Sequence, residues 1–160
     1  MIRRLARPML AAIFVTGGLN ALRHPKGPSQ AAAPLVAKAA EVTGLPDDPE
    51  LAVRANGAVQ AISGFMLATG RMPRLAGTAL ALSLVPTTIV GHPFWKEQDP
   101  EARSGQQIHF FKNLGLLGGV MLAAVDTAGK PGLTWRAQNL SKVARREARL
   151  ATAQAKLAVA

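Results

Sequence analysis

Four stretches of this chain carry almost no charge, and only short polar segments separate most of them. They are residues 9–22, 55–69, 75–90 and 108–125, the last interrupted by Lys112 and Asn113. A helix on a soluble core keeps a polar stripe at its 3.6-residue period. The second, third and fourth runs lack one. A soluble four-helix core is the competing reading, but lipid suits a surface that is apolar nearly all round. The runs are 14 to 18 residues long, short of the ~20 that cross a bilayer squarely, so flanking residues are expected to carry each span through the interface. The expected fold is all-α: a polytopic membrane four-helix bundle with spans at about 5–22, 52–70, 74–92 and 108–126, then a basic amphipathic C-terminal tail at 133–160.

Charge sharpens this reading. The chain holds 19 Lys and Arg against 9 Asp and Glu, a net +10. A nucleic-acid binder gathers such residues among polar neighbours on a folded face; here they flank apolar runs, so no nucleic-acid partner is expected. With the N-terminus inside, the inner segments hold twelve positives, including Arg3, Arg4, Arg7, Arg71, Arg74 and those of the tail. The outer loops hold five, Arg23, Lys26, Lys38, Lys96 and Arg103, beside most of the acids. Cytoplasmic loops carry the Lys and Arg excess, so the expected topology is N-in, C-in, in an inner membrane with many passes. There is no cysteine, which excludes a disulfide framework, a thiolate nucleophile and an iron–sulfur cluster, and thiol–disulfide exchange by this chain alone.

Proline and glycine punctuate the runs. Pro8 suits the first turn of a helix, and Arg3, Arg4 and Arg7 can snorkel to headgroups. The first run could also serve as a signal peptide, but no clear Ala-x-Ala site follows. Residues 23–51 read as a loop carrying a short helix over 31–43, lying on the bundle or the membrane surface. Pro49-Glu50 starts the second span, Pro73-Arg74 makes a short turn, and Pro86 should kink the third. Gly91-His92-Pro93-Phe94-Trp95 closes it, and an acidic loop with Glu97, Asp99 and Glu101 leads to His109. Asp126 to Gly132 terminates the fourth. Gly17-Gly18, Gly57, Gly64, Gly77 and the Gly115–Gly119 spacing read as close helix packing.

Any chemistry is expected at the outer end, where Arg54, Asn56, Gln60, His92, His109, Lys112 and Asn113 converge, near Asn20 and Arg23. Asn56 and Gln60 share a face, as do His109, Lys112 and Asn113. Ionisable residues inside membrane spans usually face the bundle interior. A cationic pocket of Arg54, His92, His109 and Lys112 would suit a small anion or the carbonyl oxygens of a quinone. The bland readings are snorkelling for Arg54 and Lys112, capping for the histidines, and interhelical hydrogen bonding for Asn56 and Gln60. No ligand spacing supports a metal or a haem.

The chain resembles the DoxX family of small four-helix bacterial membrane proteins, with actinobacterial members the more similar. The matching pieces are Arg7 to Leu22 with Phe14 and Gly17-Gly18; Asn56-Gly57 through Gly64 to Gly70-Arg71-Met72-Pro73-Arg74-Leu75-Ala76-Gly77; Gly91 to Trp95; and His109-Phe110-Phe111-Lys112-Asn113 through Gly119. The resemblance implies a polytopic inner-membrane protein acting as the membrane part of an oxidoreductase assembly in redox and thiol homeostasis, with relatives tied to quinone-linked sulfur oxidation. It carries over no catalytic residue.

Three functions stand as expectations. The first is a redox component binding a quinone or a small anion. The second is a scaffold that recruits cytosolic redox enzymes through the tail, whose Leu140, Val143, Leu150 and Leu157 fall near one helical face and whose Lys142, Arg145, Arg146, Arg149 and Lys156 take the rest. That tail would equally suit the anionic inner leaflet. The weakest is a transporter, since four short helices would have to form a homo-oligomer to complete a path.

Overall fold

The computed structural model describes residues 2–127 and 132–159, and in the last helix the side chains at 135, 136 and 138–151. Every regular element among the described residues is helical: α1 (Ile2–Arg23), α2 (Lys26–Thr43), α3 (Pro49–Thr69), α4 (Pro73–Gly91), a 3-10 turn at Phe94–Lys96, α5 (Pro100–Val125) and α6 (Leu133–Val159). Two compact units result, residues 1–126 and residues 127–160.

The boundaries follow local chemistry. Asp48 caps α3 by accepting from the Leu51 N–H, with Pro49 in the first turn, and Gly70 closes the helix in the left-handed region at φ 70°. Asp99 caps α5 in the same way through the Ala102 N–H. Carboxylate caps satisfy N–H groups that have no partner within the helix. Two expected boundaries shift. α5 starts at Pro100 rather than near 108, because the Asp99-Pro100-Glu101 start signal outweighs the polar character of the turns that follow. α2 starts at Lys26 rather than 31, because Pro28 lies in the first turn, where a missing N–H costs nothing. α4 stays α-helical across Pro86.

In the first unit α1 packs on α3, α3 on α4 and α4 on α5, α1 also touches α5, and α2 lies against α3 and α4. The core is Ala11, Phe14, Leu67, Ala76, Leu80, Leu84 and Val120. Outward faces are apolar too: Leu82, Leu122, Ile62 and Phe65 are all more than half exposed. α1, the segment from Pro73 to Lys96, and α5 are long and apolar enough to cross a membrane, and α3 is not among them. A shell more apolar than its interior needs is what a lipid environment permits.

Glycines set the helix spacing. A Cβ on Gly18 would stand 2.5 Å from the Gly57 carbonyl oxygen, and one on Gly57 2.8 Å from that of Gly18. On α4, a Cβ on Gly77 would meet α5 backbone at Val120 and Ala124 at 2.9 Å. The packing expectation therefore holds for Gly18, Gly57, Gly64 and Gly77. It does not for Gly115 and Gly118, which have open space because they sit on the outward face of α5. At the opposite end from the His92 turn, Asp126 accepts from Arg3 Nε at 2.9 Å and Arg7 Nη2 at 3.0 Å, tying the start of α1 to the end of α5.

α6 is one continuous helix. Residues 128–131 of the expected break, and the side chains of Lys156 and Leu157, lie outside the described residues.

Candidate functional site

Six of the seven candidate residues fall into two places. The first is a cavity of ≈ 420 Å³ walled by α1, α2, α3 and α4, within the size range of small-molecule sites. α2 supplies one wall with Ala31, Ala32, Leu35 and Val36; Ala52 and Val53 of α3 and Pro86 and Val90 of α4 complete the apolar lining. The polar lining is Asn20, Asn56, Gln60 and Thr87. No charged side chain lines it.

The hydrogen bonds fix how these groups face. The Thr87 hydroxyl donates to the Ser83 carbonyl at 2.8 Å, one turn back on α4. With its proton spent there, Thr87 Oγ1 can only accept, and the amide nitrogens of Asn56 (3.0 Å) and Gln60 (3.3 Å) donate to it. Each amide keeps its carbonyl oxygen and one N–H uncommitted to Thr87. The wall thus offers acceptors and donors together with no net charge. Such a lining suits a largely apolar molecule with a hydroxyl or carbonyl head. Burying an ion there without a counter-charge would be costly.

α2 covers this cavity without polar ties. The Ser29 and Thr43 hydroxyls donate to carbonyls of α2 itself, Thr43 accepts from the Leu45 N–H just past the helix end, and among the described residues no side-chain hydrogen bond or ion pair joins α2 to another helix.

The second place is the junction of α4 and α5. His92 Nδ1 lies 2.8 Å from Gln106 Oε1, and an amide oxygen only accepts, so Nδ1 donates. Lys112 Nζ lies 3.2 Å from His109 Nδ1; the ammonium only donates, so the His109 proton is on Nε2. The two rings stack, centroids 5.1 Å apart and planes 19° apart. Phe94, Trp95, Phe110 and Phe111 form an edge-to-face cluster beside them. Asn113 is buried one turn further in and donates to Thr88 Oγ1 at 3.2 Å, an interhelical tie. Arg54 is exposed on α3 and pairs with no group among the described residues.

The sequence reading grouped Arg54, His92, His109 and Lys112 in one pocket. The structure places Asn56 and Gln60 in the cavity, the histidines and Lys112 at the α4–α5 rim, and Arg54 in neither. It adds Thr87, Gln106 and the α2 wall to what the sequence singled out. The signal for Thr87 was the Thr87-Thr88 pair one turn beyond Ser83 in an uncharged run. No group of three metal-ligating side chains occurs among the described residues.

Comparison with known proteins bears on the same helices. The family model described as DoxX matches residues 3–93, which takes in α1 to α4 and every wall of the cavity. No curated protein and no solved structure matches the chain.

Proposed function

The chain belongs to the DoxX family, and from that membership we propose a membrane component of a redox assembly that holds a quinone headgroup in the cavity between α1, α2, α3 and α4. With three helices long and apolar enough to cross a membrane, it is a multi-pass membrane protein. The proposal completes the topology with α3 as a fourth span in an inner membrane, both termini on the cytoplasmic side. The Lys and Arg asymmetry supports that orientation, and the pairing of Arg3 and Arg7 with Asp126 supports a common end for the start of α1 and the end of α5.

The observation that carries the reading is the cavity. Its apolar walls suit a ring and the start of a prenyl tail, and Asn56 and Gln60 suit ring oxygens in either the carbonyl or the hydroxyl state. The uncharged lining supports a neutral head over a small anion. A bound quinone would supply two-electron chemistry; this chain's residues would bind and orient it, and, with no cysteine in the chain, the electrons would come through a cofactor or a partner protein. An organic extract of the purified protein tests this. We expect quinone in the wild type, its loss in Asn56→Leu/Gln60→Leu, and its retention in His92→Ala/Lys112→Ala. Quinone retained in the first variant would sink the assignment.

A second reading rests on α6, whose Lys142, Arg145 and Arg149 are exposed and fall within a sector of about 60° on a helical wheel. That stripe suits a scaffold that recruits cytosolic redox enzymes. A pull-down with and without residues 133–160 separates the two: equal recovery of partners removes the scaffold.

A further inference from the structure

The second unit carries a pattern that the cavity does not use. From residue 133 the sequence repeats on a period of seven. Leu133, Leu140, Glu147 and Gln154 form one row; Arg136, Val143, Leu150 and Leu157 form another, three residues on; and Ala137, Ala144, Ala151 and Ala158 flank the second row. The spacing of three and four is that of a coiled-coil seam. The element is one helix throughout, so the described members of these rows, Arg136, Leu140, Val143, Glu147 and Leu150, line one side of it. Along that side Leu140 is 70% exposed, Val143 44% and Leu150 55%, and Arg136 and Glu147 are exposed with them.

Charge selects what covers this side. Glu147 lies on it among Val143, Leu140 and Leu150. Against an anionic lipid surface its carboxylate would face like charge. Against a second copy laid parallel, Glu147 would meet Glu147 and Arg136 would meet Arg136, and like charges set together at an interface cost several kcal/mol. An antiparallel second copy removes both conflicts. With the two-fold axis between residues 141 and 142, Arg136 meets Glu147 of the second copy, Leu140 meets Val143, and each contact recurs by symmetry. Every layer from 136 to 147 is then an apolar pair or an opposite-charge pair. The alanine row, with Ala144 and Ala151 beside the seam, lets the backbones approach closely.

We propose that α6 pairs antiparallel with α6 of a second copy of this chain, making the protein a homodimer joined through its C-terminal helices. A seam under three heptads long is marginal alone in water. Here each α6 follows a membrane-embedded helix by a connector of seven residues, 126–132, and confinement to one bilayer raises the effective concentration of the tails. The proposal does not depend on the identity of the cavity ligand.

The chain has no cysteine, so disulfide trapping in the full-length protein has a clean background. In proteoliposomes, chains bearing Arg136→Cys mixed with chains bearing Glu147→Cys are expected to form the mixed disulfide under mild oxidation, and Arg136→Cys alone is not. A charge exchange gives the second readout, with Leu140→Cys and Val143→Cys chains as reporters. Arg136→Glu should lower the mixed-disulfide yield about tenfold, and Glu147→Arg in the same chain should restore it. Self-linking of Arg136→Cys, equal yields for the single and double exchange, or no disulfide in any mixture each overturns the antiparallel pair. The last of these would leave the tail on lipid or on another protein.

Discussion

Gly18→Ala should separate α1 from α3. The added Cβ would stand 2.5 Å from the Gly57 carbonyl oxygen and 2.7 Å from the Ala61 nitrogen. Both are backbone atoms, so no rotamer change can make room. Restoring an ordinary contact near 3.5 Å requires the helices to part by about 1 Å at their closest point. Between membrane helices, packing supplies most of the attraction, and overpacking a tight contact costs about 1–3 kcal/mol. We expect a loss in the upper half of that range. The neighbouring residue supplies the control: a Cβ on Gly17 has Gln60 Oε1 at 4.0 Å as its nearest atom, and alanine is the better helix former by ~1 kcal/mol. Gly17→Ala should therefore be neutral or stabilising. The assay is unfolding of the purified protein in mixed micelles by SDS titration, followed by circular dichroism. The argument fails if Gly18→Ala and Gly17→Ala agree within about 0.5 kcal/mol, the scatter of substitutions away from packed features.

Other expectations are equally direct. Thr88→Val leaves the buried Asn113 amide without its acceptor and should cost about 1–3 kcal/mol, while Thr88→Val/Asn113→Leu should recover most of the loss; the same titration reads both. Arg7→Ala should destabilise more than Arg3→Ala, because the Arg7 side chain is 15% exposed and that of Arg3 56%; exposed pairs contribute at most about 1 kcal/mol, and the order of the two losses is the check. Orientation is readable in spheroplasts with a membrane-impermeant maleimide. Gly105→Cys should label from outside and Gly70→Cys only after lysis, and the reverse pattern would invert the proposed topology.

Much of the fold was legible because its signals are local. Asp48-Pro49, Gly70 and Pro73 mark helix ends wherever they occur, since capping and left-handed closure depend on a few neighbouring residues. The start of α5 is written in Asp99-Pro100, and the helix extends beyond the apolar run because the cap, not hydropathy, sets where it begins. The glycines were half legible. Sequence cannot say which side of a helix meets a neighbour, so Gly18, where an added Cβ would meet the Gly57 carbonyl at 2.5 Å, and Gly118, where it would meet nothing within 4 Å, looked alike. The candidate site suffered for the same reason. His92 at the end of α4 and Gln60 in α3 were both expected on the outer side, yet one faces α5 and the other the α2-lined cavity.

The sequence by itself determined the helical content, the lipid-facing character, the absence of thiol chemistry and the family, because composition, hydropathy and chain order carry all four. Only the tertiary structure decided which polar groups share a space. The 3.6-residue period fixes relative angles within one helix, but the rotation of each helix about its own axis is set by contacts such as Gly18 on Gly57 and Gly77 on α5. Those contacts turn Asn56 and Gln60 toward Thr87 and leave His92, His109 and Lys112 on the other side of α4, so that one expected cationic pocket became a neutral cavity and a separate histidine pair.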